Sequence, residues 1–179
     1  MSMKIAVVVG SIRKDSYNRQ VAEALTKLAP ADVEFEFLQI DDLPLYNQDS
    51  DENSPPEMTR LREAVKSAHG VLFATPEYNR SVPGVLKNAI DIGSRPWGQS
   101  VWAKKPVGII GVSVGAIGSA LAQAHLRNIV SYLGMKLYTG SEVYLAWKDG
   151  LVVDGEIGPD SKAFLQDYMD GLIAWFKAH

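Results

Sequence analysis

Lys4-Ile5-Ala6-Val7-Val8-Val9-Gly10-Ser11-Ile12-Arg13-Lys14-Asp15-Ser16-Tyr17-Asn18 passes from an unbroken apolar run into a polar loop and then into a helix start. Ile5 to Val9 is continuous and β-branched, as in a parallel strand covered on both faces, and a half-solvated strand would alternate instead. Such a strand needs helices above and below it. From Tyr17 to Leu28, the residues Val21, Ala24, Leu25 and Leu28 recur at helical spacing, and Pro30 stops the helix. The stretch is therefore a first βα unit.

The same alternation of strand and helix continues outward. Val33 to Ile40 sets Val33, Phe35 and Phe37 against Glu34 and Glu36, which predicts a partly solvated edge strand. Asp41 to Asn53 is polar and turn-rich, and Ser54-Pro55-Pro56-Glu57 has the form of a helix start with proline in the first turn, the helix running to about His69. Val71 to Thr75 is a third strand, Pro83 to Ser94 a third helix, Val107 to Val112 a fourth strand and Ile117 to Leu133 a fourth helix. A fifth strand is expected near Met135 to Val143. A last helix from about Ser161 to Lys177 carries Phe164, Tyr168, Leu172 and Phe176 on one stripe. This order predicts one α/β domain over residues 1–179, a doubly wound five-stranded parallel sheet in the order 2-1-3-4-5. Ligands of such sheets bind beyond the carboxyl ends of the strands, where the strand order reverses. Three loops are thereby selected, those after Val9, Thr75 and Val112.

Composition narrows the chemistry. The chain is 46% hydrophobic and 22% charged, ordinary for one globular core. It has no cysteine, so disulfides, thiolate metal centres and a catalytic thiol are excluded, and redox chemistry requires a bound cofactor. His69, His125 and His179 are too scattered for a local metal motif, and no metal is expected. A net charge of −3 gives no general attraction to nucleic acid or to an anionic membrane, which leaves a small-molecule partner. The apolar run after Lys4 is too short for a signal peptide. Val107 to Ala124 is uncharged but broken by glycines, serines and Gln123, so it reads as strand, loop and helix rather than a membrane span. A cytoplasmic location is expected.

The first loop offers hydroxyls, an amide and the Arg13 guanidinium beside a helix N-terminus, where backbone N–H groups and the macrodipole favour an anion. It lacks both the dinucleotide fingerprint and the nucleoside-triphosphate loop, and a monophosphate suits it better. The plainer reading is that Ser16 caps the helix while Arg13 and Lys14 are solvated. In the second loop, Thr75-Pro76-Glu77-Tyr78-Asn79-Arg80-Ser81-Val82-Pro83-Gly84, two prolines stiffen a backbone that can meet a flat polar ring, and Tyr78 supplies an aromatic wall. An ordinary proline turn with an aromatic lid has the same composition. Lys87, Asn88 and Asp91 read as helix capping and surface pairing.

Gly10-Ser11-x-Arg13-x-x-Ser16-x-Asn18, followed by Pro76-Glu77-Tyr78-Asn79-x-Ser81-x-Pro83-Gly84-x-Leu86-Lys87-Asn88-Ala89-Ile90-Asp91, resembles the NADPH-dependent FMN reductase family, flavodoxin-like enzymes that include quinone, azo-dye and chromate reductases. The resemblance runs in order over nearly the whole chain. It implies bound FMN, NADPH or NADH as electron donor, and a small oxidant such as a quinone, azo compound, chromate or free flavin, reduced by a ping-pong cycle. It places Ser11, Arg13, Ser16 and Asn18 on the FMN phosphate, Pro76, Glu77, Tyr78 and Asn79 along the isoalloxazine, and Ser113 and Gly115 at the closing loop. It calls for no catalytic side chain. It also matches Arg127 and Glu142 to positions that join subunits, which implies a homodimer or homotetramer. The sequence departs from the family pattern after the Asn-Ala-Ile-Asp stretch, where Ile92-Gly93 replaces a common tryptophan and Trp97 and Trp102 follow.

Two other classes compete. Gly111-Val112-Ser113-Val114-Gly115 fits G-x-S-x-G between a strand and a helix, the place of a serine hydrolase nucleophile. His125 and His179 are poorly placed as its base, and the reading leaves the first two loops unexplained. A non-enzymatic FMN-binding electron carrier would share the fold, but the threonine-rich phosphate loop and strongly acidic surface usual in such carriers are missing here.

Overall fold

In the computed structural model, which describes residues 2–179, the strands β1 (Met3–Val9), β2 (Val33–Phe37), β3 (Gly70–Ala74) and β4 (Pro106–Ser113) form a parallel sheet in the order β2-β1-β3-β4. The fifth position holds β5 (Lys136–Leu137) and β6 (Val143–Ala146), both parallel to β4. The expected order 2-1-3-4-5 is the observed one, and β2 is the edge.

β1 shows why its sequence does not alternate. Ile5, Val7 and Val9 enter a core with α1 (Tyr17–Thr26) and α5 (Pro159–Ala178), while Ala6 and Val8 enter a second core with α2 (Pro56–Ser67), α3 (Gly84–Gly93) and α4 (Ala120–Tyr132). All five residues are buried, so each successive side chain is removed from water on one face or the other.

Three boundaries differ from the periodic pattern. The fifth strand is expected as one run and is found as two pieces. Its first piece pairs with Pro106 and Val107 and its second with Ile110 to Ser113. Between them the Ile109 carbonyl accepts the Tyr168 hydroxyl of α5 at 3.3 Å, and residues 139–142 leave the sheet. Helix α4 starts later than Ile117 because Ser119 adopts φ 68°, a left-handed conformation that cannot lie within the helix. A small antiparallel hairpin, β7 (Val152–Val153) with β8 (Glu156–Ile157), precedes α5 and packs near α1. Its strands are too short to show a period.

Candidate functional site

The strand order sets the loops after β1, β3 and β4 side by side, and backbone bonds carry the sheet a step beyond the strands. The Gly10 N–H donates to the Ala74 carbonyl at 2.8 Å, the Thr75 N–H to Ile110 at 3.0 Å and the Trp147 N–H to Ser113 at 2.8 Å. The three loops therefore start from one level of the sheet.

In the first loop the backbone N–H groups from Ser11 to Asp15 find no acceptor among the described residues. Helix α1 has no acidic residue in its first turn, so its positive end is not neutralised there. Ser16 is the N-cap; its buried hydroxyl accepts the Arg19 N–H at 3.2 Å. Asn18 is buried and turned inward: its Nδ2 donates to the Val112 carbonyl at 2.9 Å, and its Oδ1 accepts the Val112 N–H at 3.0 Å. Asn18 thus ties the first loop to the end of β4. Arg13 lies 4.5 Å above the Tyr17 ring and donates to the Asp15 carbonyl, and Tyr17 stacks on Trp147 at 4.0 Å. The stack holds an exposed guanidinium beside the free N–H groups. A cleft of about 390 Å³ opens here, lined by Ser11, Arg13, Lys14 and Arg19 among others.

The second loop begins with buried Thr75 and Pro76. It then closes a two-residue turn: Tyr78 and Ser81 exchange N–H···O bonds of 3.0 and 3.1 Å around Asn79 and Arg80 at φ 50° and 65°. This is a type I′ hairpin turn, natural for Asn79 and strained for Arg80. Tyr78 is 52% exposed. Glu77 reaches across to α4, where its Oε2 accepts the N–H groups of Leu121 at 3.0 Å and Ala122 at 3.2 Å. The helix needs this distant cap because Ser119, left-handed at the N-cap position, makes no capping bond. Arg80 sits 3.6 Å from the other Glu77 oxygen.

The third loop is shaped by close approach. A Cβ at Gly111 would strike the Ser119 hydroxyl and the Thr75 carbonyl, so a side chain there would push the second and third loops apart. Gln123 fastens the buried Ser119 at 3.1 Å and the Val143 carbonyl at 2.8 Å. The Ser113 hydroxyl donates to the Gly115 carbonyl at 3.2 Å, and the backbone N–H groups from Val114 to Ile117 are free of intrachain partners among the described residues.

The structure brings Ser11, Arg13, Ser16, Asn18, Pro76, Glu77, Tyr78, Asn79, Ser113 and Gly115 into this loop cluster, but with unequal freedom. Ser11 and Arg13 are accessible, whereas Asn18 and Glu77 spend their polar atoms on joining the loops. The part of Glu77 as a remote helix cap has no local signal in the sequence. No triad forms at Ser113: His125 bonds Ser81 at 2.9 Å, His69 accepts the Lys4 N–H, and His179 lies against Trp175. Arg127 and Glu142 pair with each other at 3.4 Å within one chain, and Arg127 lies 5.6 Å from the Tyr144 ring. Burial, with Glu142 second, raises the Tyr144 phenol above its ordinary value. The two tryptophans after Ile92-Gly93 part company: Trp102 is fully buried, donates to Ile90 at 2.8 Å and fills the space a Cβ at Gly93 would need, while Trp97 is 78% exposed. Among the described residues no group of three or more His, Asp or Glu is placed to hold a metal ion, and no helix is long and apolar enough to cross a membrane.

The donor set fits FMN. Unpaired N–H groups, Ser11 and Arg13 suit a phosphate dianion. The second and third loops offer free backbone donors and acceptors to a flat heteroaromatic edge. The comparisons with known proteins agree. The profile of the NADPH-dependent FMN reductase family matches residues 3–148. A 2-hydroxy-1,4-benzoquinone reductase from Burkholderia sp is 50% identical over 179 residues, covering 99% of this chain and 98% of its own. A quinone reductase from Pseudomonas putida is 47% identical over 175 residues, covering 97% and 94%. The solved structure of FerB, a flavoenzyme NAD(P)H:(acceptor) oxidoreductase from Paracoccus denitrificans, superposes with a TM-score of 0.94 at 42% identity over 99% of this chain and 98% of that one. The chain belongs to the NADPH-dependent FMN reductase family, and it is an oxidoreductase that uses FMN and NAD(P)H.

Proposed function

We propose that this enzyme passes electrons from NAD(P)H through FMN to a quinone, with donor and acceptor using one opening in turn. The observation that carries the reading is the set of adjoining loops with unpaired N–H donors, fixed to one another by Asn18 and Glu77. FMN, when bound, supplies the two-electron chemistry that couples a hydride donor to an oxidant. The chain supplies the setting. Ser11, Arg13 and the N–H groups that follow β1 take the phosphate, with the Ser16 hydroxyl proton as a further donor. The backbone of Pro76 to Asn79 runs along the ring, Tyr78 walls the opening, and Ser113 and Gly115 close the opposite side. The names of the Burkholderia and Pseudomonas relatives support a quinone as the acceptor class over azo compounds, chromate or free flavin.

A shared opening gives ping-pong kinetics. We place the enzyme in the cytoplasm, where NAD(P)H is supplied, and read it as a homodimer or homotetramer. The test is an absorption spectrum of the purified protein. Oxidised-flavin bands should bleach under NAD(P)H without oxygen and return on adding benzoquinone. A protein that neither carries nor takes up FMN overturns the proposal, and a flavin that bleaches but is not reoxidised by quinones overturns the acceptor class.

A further inference from the structure

The strand order gives the first loop two unlike neighbours. On one side stand the loops after β3 and β4, along which the proposed function lays the isoalloxazine; on the other stands the end of β2. The cleft of about 390 Å³ at the first loop extends to this second side, where Phe37, Gln39 and Asp41 line it together with Lys14 and Arg19. It offers far more room than one phosphate needs, and it runs away from the ring. The end of β2 is a firm wall: the Leu38 N–H donates to the Val7 carbonyl at 2.9 Å, and Leu38 and Ile40 are buried on either side of Gln39.

The lining is sorted by chemistry along its length. Nearest the first loop, Lys14 is exposed and makes neither an ion pair nor a hydrogen bond among the described residues. Arg19 lies 4.5 Å from the Phe37 ring, and its Nε donates to Glu23 at 2.5 Å, an exposed pair that leaves the terminal guanidinium N–H groups free among the described residues. At the far side, Arg60 is taken by Asp42, at 2.6 and 2.9 Å, and by the Gln39 carbonyl, at 3.3 Å. Asp41 and the Gln39 side chain are exposed, and among the described residues neither has a partner. Ile12 stands 59% exposed in the same wall. Cations beside the flavin phosphate, a carboxylate and an amide farther out, and an apolar surface with them complement a second phosphate, a ribose and a base. In open α/β sheets a carboxylate after the second strand is where a dinucleotide places its ribose hydroxyls.

We propose that the flavin site also accepts FAD, whose AMP half lies in this cleft. Lys14 and Arg19 take the second phosphate, Asp41 and Gln39 bond the ribose hydroxyls, and the adenine packs on Ile12. The inference rests on the reading that the flavin phosphate sits on the first loop. Its test equilibrates the purified holoenzyme with FMN and FAD at equal concentrations, removes unbound flavin, and separates by chromatography the flavin released on denaturation. The ratio of the two is the ratio of their affinities. The wild type should carry FAD in at least equal share with FMN. Lys14→Ala and Asp41→Ala, both at exposed positions, should each lower the FAD share relative to FMN about fivefold or more, the worth of one hydrogen bond to a charged group at a solvated site. Affinity for FMN alone should stay at the wild-type value in both. A wild type that retains only FMN overturns the proposal. So does an FAD share that neither substitution moves, which is the result for an AMP half left in solvent, and so does an equal loss of both flavins in the variants. A wild type that holds neither flavin overturns the underlying site reading and the proposal with it.

Discussion

Asn18, in the first turn of α1, and Arg13, in the loop before it, have opposite tasks. Asn18 holds both backbone groups of Val112 with one amide, so each of its polar ends is matched. Asn18→Ala leaves a buried donor and a buried acceptor empty and should cost about 2–3 kcal/mol of stability in urea unfolding. Asn18→Asp should be worse, because the oxygen that replaces Nδ2 faces a carbonyl; equal stability of the two variants would show that the amide is not a bridge. Arg13 is exposed and makes no ion pair among the described residues, so its removal should barely move stability. Arg13→Ala should instead weaken FMN binding by about 1.5–3 kcal/mol, the usual worth of a hydrogen bond to a charged group. A flavin titration reads this directly, and unchanged affinity would leave Arg13 a solvated charge held by Tyr17. The types and spacing of Ser11, Arg13, Ser16 and Asn18 were legible in the sequence. Which of them face a ligand was not, since the partner of Asn18 lies 94 residues away.

Helix α4 is an element whose start is dictated from elsewhere. Ser119 gives up the ordinary N-cap conformation, and the carboxylate that replaces its cap comes from Glu77 in the second loop. Glu77→Ala should therefore loosen the first turn of α4 by about 1 kcal/mol, the value of a lost cap. Glu77→Gln, which keeps an acceptor oxygen, should lose less. Amide hydrogen exchange at Leu121 and Ala122 checks the order of the three proteins, and identical protection would dismiss the cap. Strands β1, β3 and β4 were legible because burial on both faces writes itself as unbroken apolar runs, and α1 and α5 because their apolar spacing is long. The split of the fifth strand was not legible. It depends on the Tyr168 hydroxyl reaching Ile109 from α5, and no window of sequence around Met135 contains that contact.

At the scale of the molecule, the resemblance assigned Arg127 and Glu142 to a subunit contact; the two side chains pair at 3.4 Å within one chain, and Arg127 Nη1 is left buried without a hydrogen-bond partner among the described residues. A second candidate face lies around the third loop. Val114, Ile117, Leu121 and Tyr144 are large apolar residues left exposed on the third loop, the first turn of α4 and β6, next to the opening that the proposed function assigns to the donor and acceptor. Apolar side chains gathered at a rim are the usual mark of a surface that another molecule covers, and a two-fold contact would repeat each of them across the axis. Light scattering should then give the wild type a mass of at least two chains. Ile117→Lys should shift that mass toward one chain, since a lysine brought against its own copy is both desolvated and repelled. Arg127→Ala tests the contact that the resemblance implies: a mass that falls with it keeps Arg127 in the interface, and an unaltered mass rejects Arg127 as its anchor. A monomeric wild type removes the oligomer, and a mass that falls with Arg127→Ala but not with Ile117→Lys moves the contact from Ile117 to the Tyr144–Arg127–Glu142 end of this face.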